Sequence, residues 1–270
     1  RFLEWIKKEA GSMGIELLLE VHAHYSIQYK LAERGYWIYD FILPYLILET
    51  LISQSNQKLI SYLKTRPHNQ FTMLDCHDGF PVKPDLDDLI DAEEARKIVD
   101  LCLCRGSNLS YVLSEEHKAK DGFDVHQIRG TYYSMLDEND DAYLAARAIQ
   151  FFVPGVPQVY YVGLLAGTND HERAKHTGDG REINRHNYTS GEIEEALERN
   201  VVQRLMKLIR FRNQYPAFDG DFLIENSRES EIGLMWQKEE KYCRLKINLV
   251  TYQTVIEYAD EQGNKQTYIV

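Results

Sequence analysis

Leu17-Leu18-Leu19-Glu20-Val21-His22 and Met73-Leu74-Asp75-Cys76-His77-Asp78-Gly79 each read as an apolar strand that stops on a carboxylate with a histidine beside it. The carboxyl ends of the strands are where a parallel α/β barrel places its chemistry. Around these stretches, hydrophobic periodicity predicts a helix over 2–13, a strand near 15–21, a helix near 26–34 and an apolar strand from Tyr39 to about Leu43, ended by Pro44. A helix near 45–63 and a strand from Phe71 to Cys76 come next, then a loop opened by Gly79 and Pro81. Strand and helix alternate, so the sheet should be parallel.

Further on, residues 85–104 look helical, with Asp85, Asp87 and Asp88 favouring the positive N-terminal end. Asp124 to Thr131 reads as irregular and polar. A helix from about Asp140 to Phe152 leads through Pro154-Gly155-Val156-Pro157 into an aromatic strand, Gln158-Val159-Tyr160-Tyr161-Val162-Gly163. A long polar loop, 167–191, precedes a strongly helical segment from about Glu192 to Asn213. After Pro216 short alternating runs such as Ile232-Gly233-Leu234-Met235-Trp236 indicate antiparallel strands, and a domain boundary is expected near 215–220. The alternating part supplies only four parallel strands, half of what a closed barrel needs.

Composition limits the function. A chain of 270 residues with 44% hydrophobic content can bury a substantial core and reads as a soluble, globular protein. Its net charge of -11 and pI near 5.3 argue against a nucleic-acid groove or an anionic membrane surface. The cysteines, Cys76, Cys102, Cys104 and Cys243, lack paired CxxC spacing, which favours reduced thiols in a cytoplasmic setting over a zinc ribbon or a disulfide framework. No stretch approaches the ~20 consecutive apolar residues of a membrane span. The start, Arg1-Phe2-Leu3-Glu4-Trp5-Ile6, reads as an amphipathic helix entered midway, as if cut from a longer chain.

Glu20 and Asp78, on neighbouring strand ends, have the character of a glycosidase pair, one to move a proton and one to stabilise an oxocarbenium-like transition state. Each has a plainer alternative: a solvated Glu at a strand end, an Asp-Gly turn, a satisfied core histidine at His77. No metal or other cofactor is indicated. Asp75, His77 and Asp78 together read as a carboxylate cluster and not as a ligand set, because successive residues of one strand face opposite ways: Asp75 and His77 share a face, and Asp78 follows as the strand ends.

Leu19-Glu20-Val21-His22, Leu74-Asp75-Cys76-His77-Asp78-Gly79, the run from Pro154 to Gly163, and Gly180-Arg181-Glu182-Ile183-Asn184-Arg185-His186 together resemble the sucrose phosphorylase and sucrose 6F-phosphate phosphorylase branch of the α-amylase-type glycoside hydrolases. The resemblance implies an α/β fold: the second half of a TIM (β/α)8 barrel, about strands 5–8, over residues 1–217, and a small antiparallel β-domain over 218–270. It implies Glu20 as acid/base, Asp78 as the stabilising carboxylate, and His77 as a sugar ligand. His22 falls on the acceptor side, Asp124, Val125, His126 and Gln127 in the acceptor loop, and Arg181 at the active-site arginine.

Family members form a covalent glucosyl intermediate on an aspartate in an Arg-X-Asp setting, and no Arg-X-Asp occurs in this sequence. The nucleophile is therefore expected outside it, and the fragment alone should be inactive. The expected reaction is reversible phosphorolysis of sucrose or sucrose 6F-phosphate, with sugar and inorganic phosphate as partners and a homodimer as the assembly to test. His126, where plain sucrose phosphorylases usually carry tyrosine, points to fructose 6-phosphate as acceptor. His24 is a second departure and is expected to face the following helix more than the acceptor subsite. Three alternatives compete: a non-catalytic carbohydrate-binding relative, another α-glucoside phosphorylase or hydrolase, and an assembly fragment that pairs its sheet edge with a partner.

Overall fold

The computed structural model describes residues 2–113, 118 and 122–270. The chain opens with α1 (Phe2–Ser12), β1 (Leu18–Leu19), α2 (Tyr25–Glu33) and β2 (Trp37–Asp40), followed by α3 (Leu43–Ser53), α4 (Gln57–Leu63) and β3 (Gln70–Thr72). A small excursion follows: β4 (Phe80–Pro81), α5 (Ala92–Cys104), β5 (Asn108–Tyr111) and β6 (Val125–Arg129). Then come α6 (Tyr132–Met135), α7 (Asp140–Phe152), β7 (Val156–Pro157), α8 (Tyr161–Leu164), α9 (His171–Thr177), a 3-10 turn over Gly180–Asn184, α10 (Ser190–Glu198) and α11 (Asn200–Gln214). The chain ends in β8 (Asp221–Ile224), β9 (Glu231–Lys238), β10 (Lys241–Asn248), β11 (Thr254–Ala259) and β12 (Lys265–Ile269).

β1, β2, β3 and β7 form one parallel sheet in that order, with Leu18 opposite Trp37, Tyr39 opposite Phe71 and Phe71 opposite Val156. The expected parallel βα repeat is therefore present. β4, β6 and β5 form a separate antiparallel sheet, and β8 to β12 form an antiparallel meander. The core is continuous through α3, α7, α11 and the meander, because α3 and α7 bury nearly every residue. Two carbonyls at the open end of α7 are satisfied from that side: Trp236 Nε1 donates to Phe152 O at 2.7 Å, and Arg212 Nε donates to Phe151 O at 2.8 Å.

Several elements differ from the sequence expectation. Pro44 lies in the first turn of α3, where its missing N–H costs nothing, and so starts that helix instead of ending a strand. The helix expected over 45–63 breaks at Gln54, whose φ of 57 is left-handed. The expected helix over 85–104 begins only at Ala92, where Asp91 accepts from the Glu93 and Glu94 N–H groups. Asp124 to Thr131 is not irregular, since Val125 to Arg129 form a strand. The aromatic run after Gln158 turns into a helix at Tyr161 instead of a strand. Residues 167–191 hold α9 and the 3-10 turn, and the helix expected over 192–213 is two helices with Arg199 extended between them.

Two buried ion pairs fix the carboxyl ends of the parallel strands. Asp40, the last residue of β2, takes Tyr62 OH at 2.5 Å and Arg66 Nε at 3.0 Å, while Arg66 also donates to Pro154 O before β7. Beyond β3, both oxygens of Asp75 meet Arg147 NH2, at 2.9 and 2.8 Å. Arg147 also donates to Gln150 Oε1 at 2.9 Å, and Gln150 Nε2 ties Thr72 O to Gln158 O. This cradle needs Gly163: a Cβ there would stand 2.1 Å from both Arg147 NH2 and Asp75 Oδ2. Asp75 is thus a structural carboxylate.

Candidate active site

The parallel strands end together, and their ends carry the residues singled out in the sequence. Glu20 follows β1, Tyr39 and Phe41 stand at the end of β2, Met73, Cys76 and His77 follow β3, and Gln158 follows β7; together they line a cavity of about 50 Å³. Glu20 and His77 thus face one space although 57 positions of chain separate them (77 − 20). Glu20 keeps a half-exposed side chain, with Oε1 3.6 Å from His22 Nε2. The His22 ring stacks on Phe41 with centroids 4.2 Å apart, and meets the edge of His126 at 5.9 Å. Burial, and then repulsion from His126, push the His22 pKa below its ordinary value.

Asp78 is held from the 3-10 turn. Arg185 NH2 donates to Asp78 Oδ1 at 3.1 Å and Arg185 Nε to His77 O at 2.7 Å, while Asn184 Nδ2 donates to the carbonyls of Cys76 and Asp78 at 2.8 and 3.0 Å. Arg181, the arginine expected here, stands farther off: its NH1 is 3.9 Å from Asp78 Oδ1 and its NH2 is 3.1 Å from Asp179. His77 Nε2 lies 3.7 Å from Asp78 Oδ2. The backbone of the 76–78 turn is thereby tied at three carbonyls, which aims the Asp78 carboxylate.

The acceptor segment is a strand edge. His126 Nδ1 donates to Lys83 O at 2.7 Å, and Val82 N donates to His126 O at 2.8 Å. Val125 and Gln127, on the opposite face of β6, are buried, and Asp124 O accepts from Val112 N at 2.8 Å. His24 caps α2, with Nδ1 accepting from Ser26 N at 3.3 Å, as the sequence led us to expect. Asp85, expected at a helix N-terminus, is instead wholly buried next to His22, and burial raises its pKa to about 7. Among the described residues no group of three His, Cys, Asp or Glu is arranged to hold a metal ion, and no helix is long and apolar enough to cross a membrane.

No family model matches the chain. Sucrose 6(F)-phosphate phosphorylase of Thermoanaerobacterium thermosaccharolyticum is 63% identical over 269 residues, covering 100% of this chain and 55% of that protein. A crystal structure of sucrose 6F-phosphate phosphorylase from Thermoanaerobacter thermosaccharolyticum matches with a TM-score of 0.98 and 63% identity over 100% of this chain and 55% of that one. The chain belongs to the sucrose phosphorylase branch of the α-amylase-type glycoside hydrolases. Sucrose phosphorylase of Streptococcus mutans, a further member, is 40% identical, covering 93% of this chain and 53% of its own length. An α-amylase from H. orenii shares the fold at 15% identity and TM-score 0.56, over 95% of this chain and 51% of that chain. The chain thus spans about half the length of the branch members it matches.

Sequence reasoning alone missed Arg185, Asn184, Asp85 and Phe41 as neighbours of these residues. Arg185 and Asn184 were within reach, since both lie in the Gly180 to His186 motif typical of the branch. Asp85 and Phe41 carry no local signal: the parallel register of β1 and β2 brings Phe41 to His22, and the turn after β4 brings Asp85.

Proposed function

We propose that the chain carries the proton-transfer and stabilising carboxylates of a retaining glucosyl transferase that reversibly converts sucrose or sucrose 6F-phosphate and phosphate to α-glucose 1-phosphate and fructose or fructose 6-phosphate. The observation that carries this reading is the convergence of Glu20 and His77 on one cavity at the carboxyl ends of parallel strands, with Asp78 aimed by Arg185 beside them. Glu20 protonates the glycosidic oxygen as the fructosyl group leaves, and its carboxylate then takes the proton from the attacking phosphate. Asp78 accepts from sugar hydroxyls and balances positive charge at the anomeric carbon, with His77 and Arg181 as further sugar contacts. The nucleophilic aspartate is assigned to the part of such an enzyme that this chain does not cover.

On the acceptor side we place His22, Asp124, Val125, His126 and Gln127. Val125 and Gln127 act through the strand backbone and the packing behind it, since their side chains are buried. With Nδ1 donating to Lys83 O, the Nε2 of a doubly protonated His126 ring donates to an acceptor phosphate, which supports fructose 6-phosphate over fructose. The relative of 63% identity carries the same preference in its name. This reading puts the enzyme in the cytoplasm, acting on small molecules without nucleic acid or membrane. Light scattering of the full-length enzyme tests a homodimer. The test of the function is synthesis from α-glucose 1-phosphate with either acceptor: the reading expects fructose 6-phosphate to be used with the higher kcat/KM, and its loss in His126→Tyr. No transfer to either acceptor would overturn it.

A further inference from the structure

A run of polar groups leads from Glu20 into the protein. Glu20 Oε1 lies 3.6 Å from His22 Nε2, and the other ring nitrogen, His22 Nδ1, lies 4.0 Å from Asp85 Oδ1. Asp85 is wholly buried, and its Oδ1 accepts from Gln28 Nε2 at 2.9 Å. Asp85 Oδ2 and His22 Nδ1 are both buried without a hydrogen-bond partner among the described residues. A buried polar atom left without a partner is destabilising. The carboxylate and the ring are therefore drawn to share one proton, directly after a small closure or across a single water.

Once Asp85 is ionised, only one neutral tautomer of His22 satisfies this arrangement. With the proton on Nδ1, the ring donates toward Asp85 and turns the Nε2 lone pair toward Glu20; with the proton on Nε2, a buried lone pair on Nδ1 would face the Asp85 carboxylate. The charged and titratable groups around the ring are Glu20 on its own strand end, Asp78 after β3, His126 from β6 and Asp85 from the turn after β4, while the Phe41 ring covers one face. Asp85 itself is faced by Gln28 and Asp87. The lowered pKa of His22 keeps the ring neutral at pH 7, so the tautomer, and not a charge, is what Asp85 sets.

We propose that Asp85 is a positioning residue for the glucosyl-transfer step: it fixes the Nδ1–H tautomer of His22, whose Nε2 lone pair then favours the protonated form of Glu20. This rests on the assignment of Glu20 as acid/base. A lone pair facing the carboxyl group holds the proton that the leaving group needs. After that proton is given up, the same lone pair repels the Glu20 carboxylate and strengthens its pull on the proton of phosphate.

The test uses the full-length enzyme containing this chain, labelled with ¹⁵N-histidine, with the His22 signals assigned from a His22→Asn spectrum. At pH 8 the wild type should show a pyrrole-type Nδ1 and a pyridine-type Nε2. Asp85→Asn keeps the shape and the acceptor for Gln28 but removes the negative charge that holds the proton on Nδ1, so the proton should shift toward Nε2. The alkaline limb of the pH–rate profile for sucrose or its 6F-phosphate should then shift to lower pH, with kcat above pH 7 falling about tenfold. Glucosylation from α-glucosyl fluoride, whose fluoride leaves without a proton, should stay within about twofold. A wild-type His22 protonated at Nε2, or an Asp85→Asn limb that does not move, overturns the proposal. The wild-type spectrum decides it even if the variant fails to fold. Glu20→Gln with undiminished phosphorolysis would remove the acid/base assignment itself, whereas a failed tautomer test beside an inactive Glu20→Gln removes only the role of Asp85.

Discussion

Replacing Asp75 by leucine should be among the most damaging changes near the site. Arg147 is fully buried, and both oxygens of Asp75 contact its NH2, at 2.9 and 2.8 Å. Asp75→Leu leaves the guanidinium with Tyr143 OH and Gln150 Oε1 but no countercharge. Stranding one partner of a buried ion pair costs about 3–5 kcal/mol. Arg147→Met in the same background removes the stranded charge and leaves mainly Gln150 Oε1 without its donor, a loss of roughly 1–3 kcal/mol. The double variant should therefore be more stable than Asp75→Leu alone. Urea unfolding of the full-length enzyme, read as midpoint shifts at a shared m-value, measures Asp75→Leu, Arg147→Met alone and the double variant. A single-variant loss below about 1 kcal/mol, or a double variant whose loss equals the sum of the singles, would refute the reasoning. Because Asp75 precedes Asp78 by three residues, Asp75→Leu should also reduce phosphorolysis.

Two further predictions concern pH. His186 is gripped by Asp170 at 2.6 Å and Glu192 at 3.1 Å, which raise its pKa above the ordinary 6.5; its stabilisation is complete below 6.5 and is lost as pH rises through the higher folded value. His186→Asn should therefore flatten the fall in thermal midpoint from pH 6 to 8, and an unchanged slope would count against the grip. Glu257 lies among Lys265 at 2.9 Å, Lys246 at 3.1 Å and Arg244 at 3.5 Å, which lower its pKa from 4.5 to about 2. That stabilisation is present above 4.5 and fades as pH falls toward 2; because both lysines are more than half exposed and solvent screens them, Glu257→Gln should lower stability at pH 7 by about 1 kcal/mol and by little at pH 2 to 3, as read from denaturant midpoints.

The parallel half was legible because its strands carry dense apolar runs ending on Glu20 and near Asp78, and because helix and strand alternate. The details that failed share a cause, which is that tertiary contacts override local signals. Gln54 ends α3 in a left-handed conformation without a glycine or proline, and Arg199 parts α10 from α11 in the same unmarked way. The β6 strand was missed because Val125, His126 and Gln127 mix polar and apolar types, although the buried, half-buried, buried alternation is that of a strand. Tyr160 and Tyr161 favour a strand locally, yet the sheet pairing stops at Pro157 and the chain turns into α8. At the site, the motif residues carried their own signal. Arg185 outranks Arg181 at Asp78 only because the 3-10 turn presents its Nε and NH2 to the 77–78 turn.

The central claim is that Glu20 transfers the proton in glucosyl transfer, and phosphorolysis by the full-length Glu20→Gln enzyme tests it most directly. The account predicts that turnover of sucrose and its 6F-phosphate falls by about 10²–10⁴ while glucosylation from α-glucosyl fluoride persists. Phosphorolysis at near the wild-type rate would contradict it.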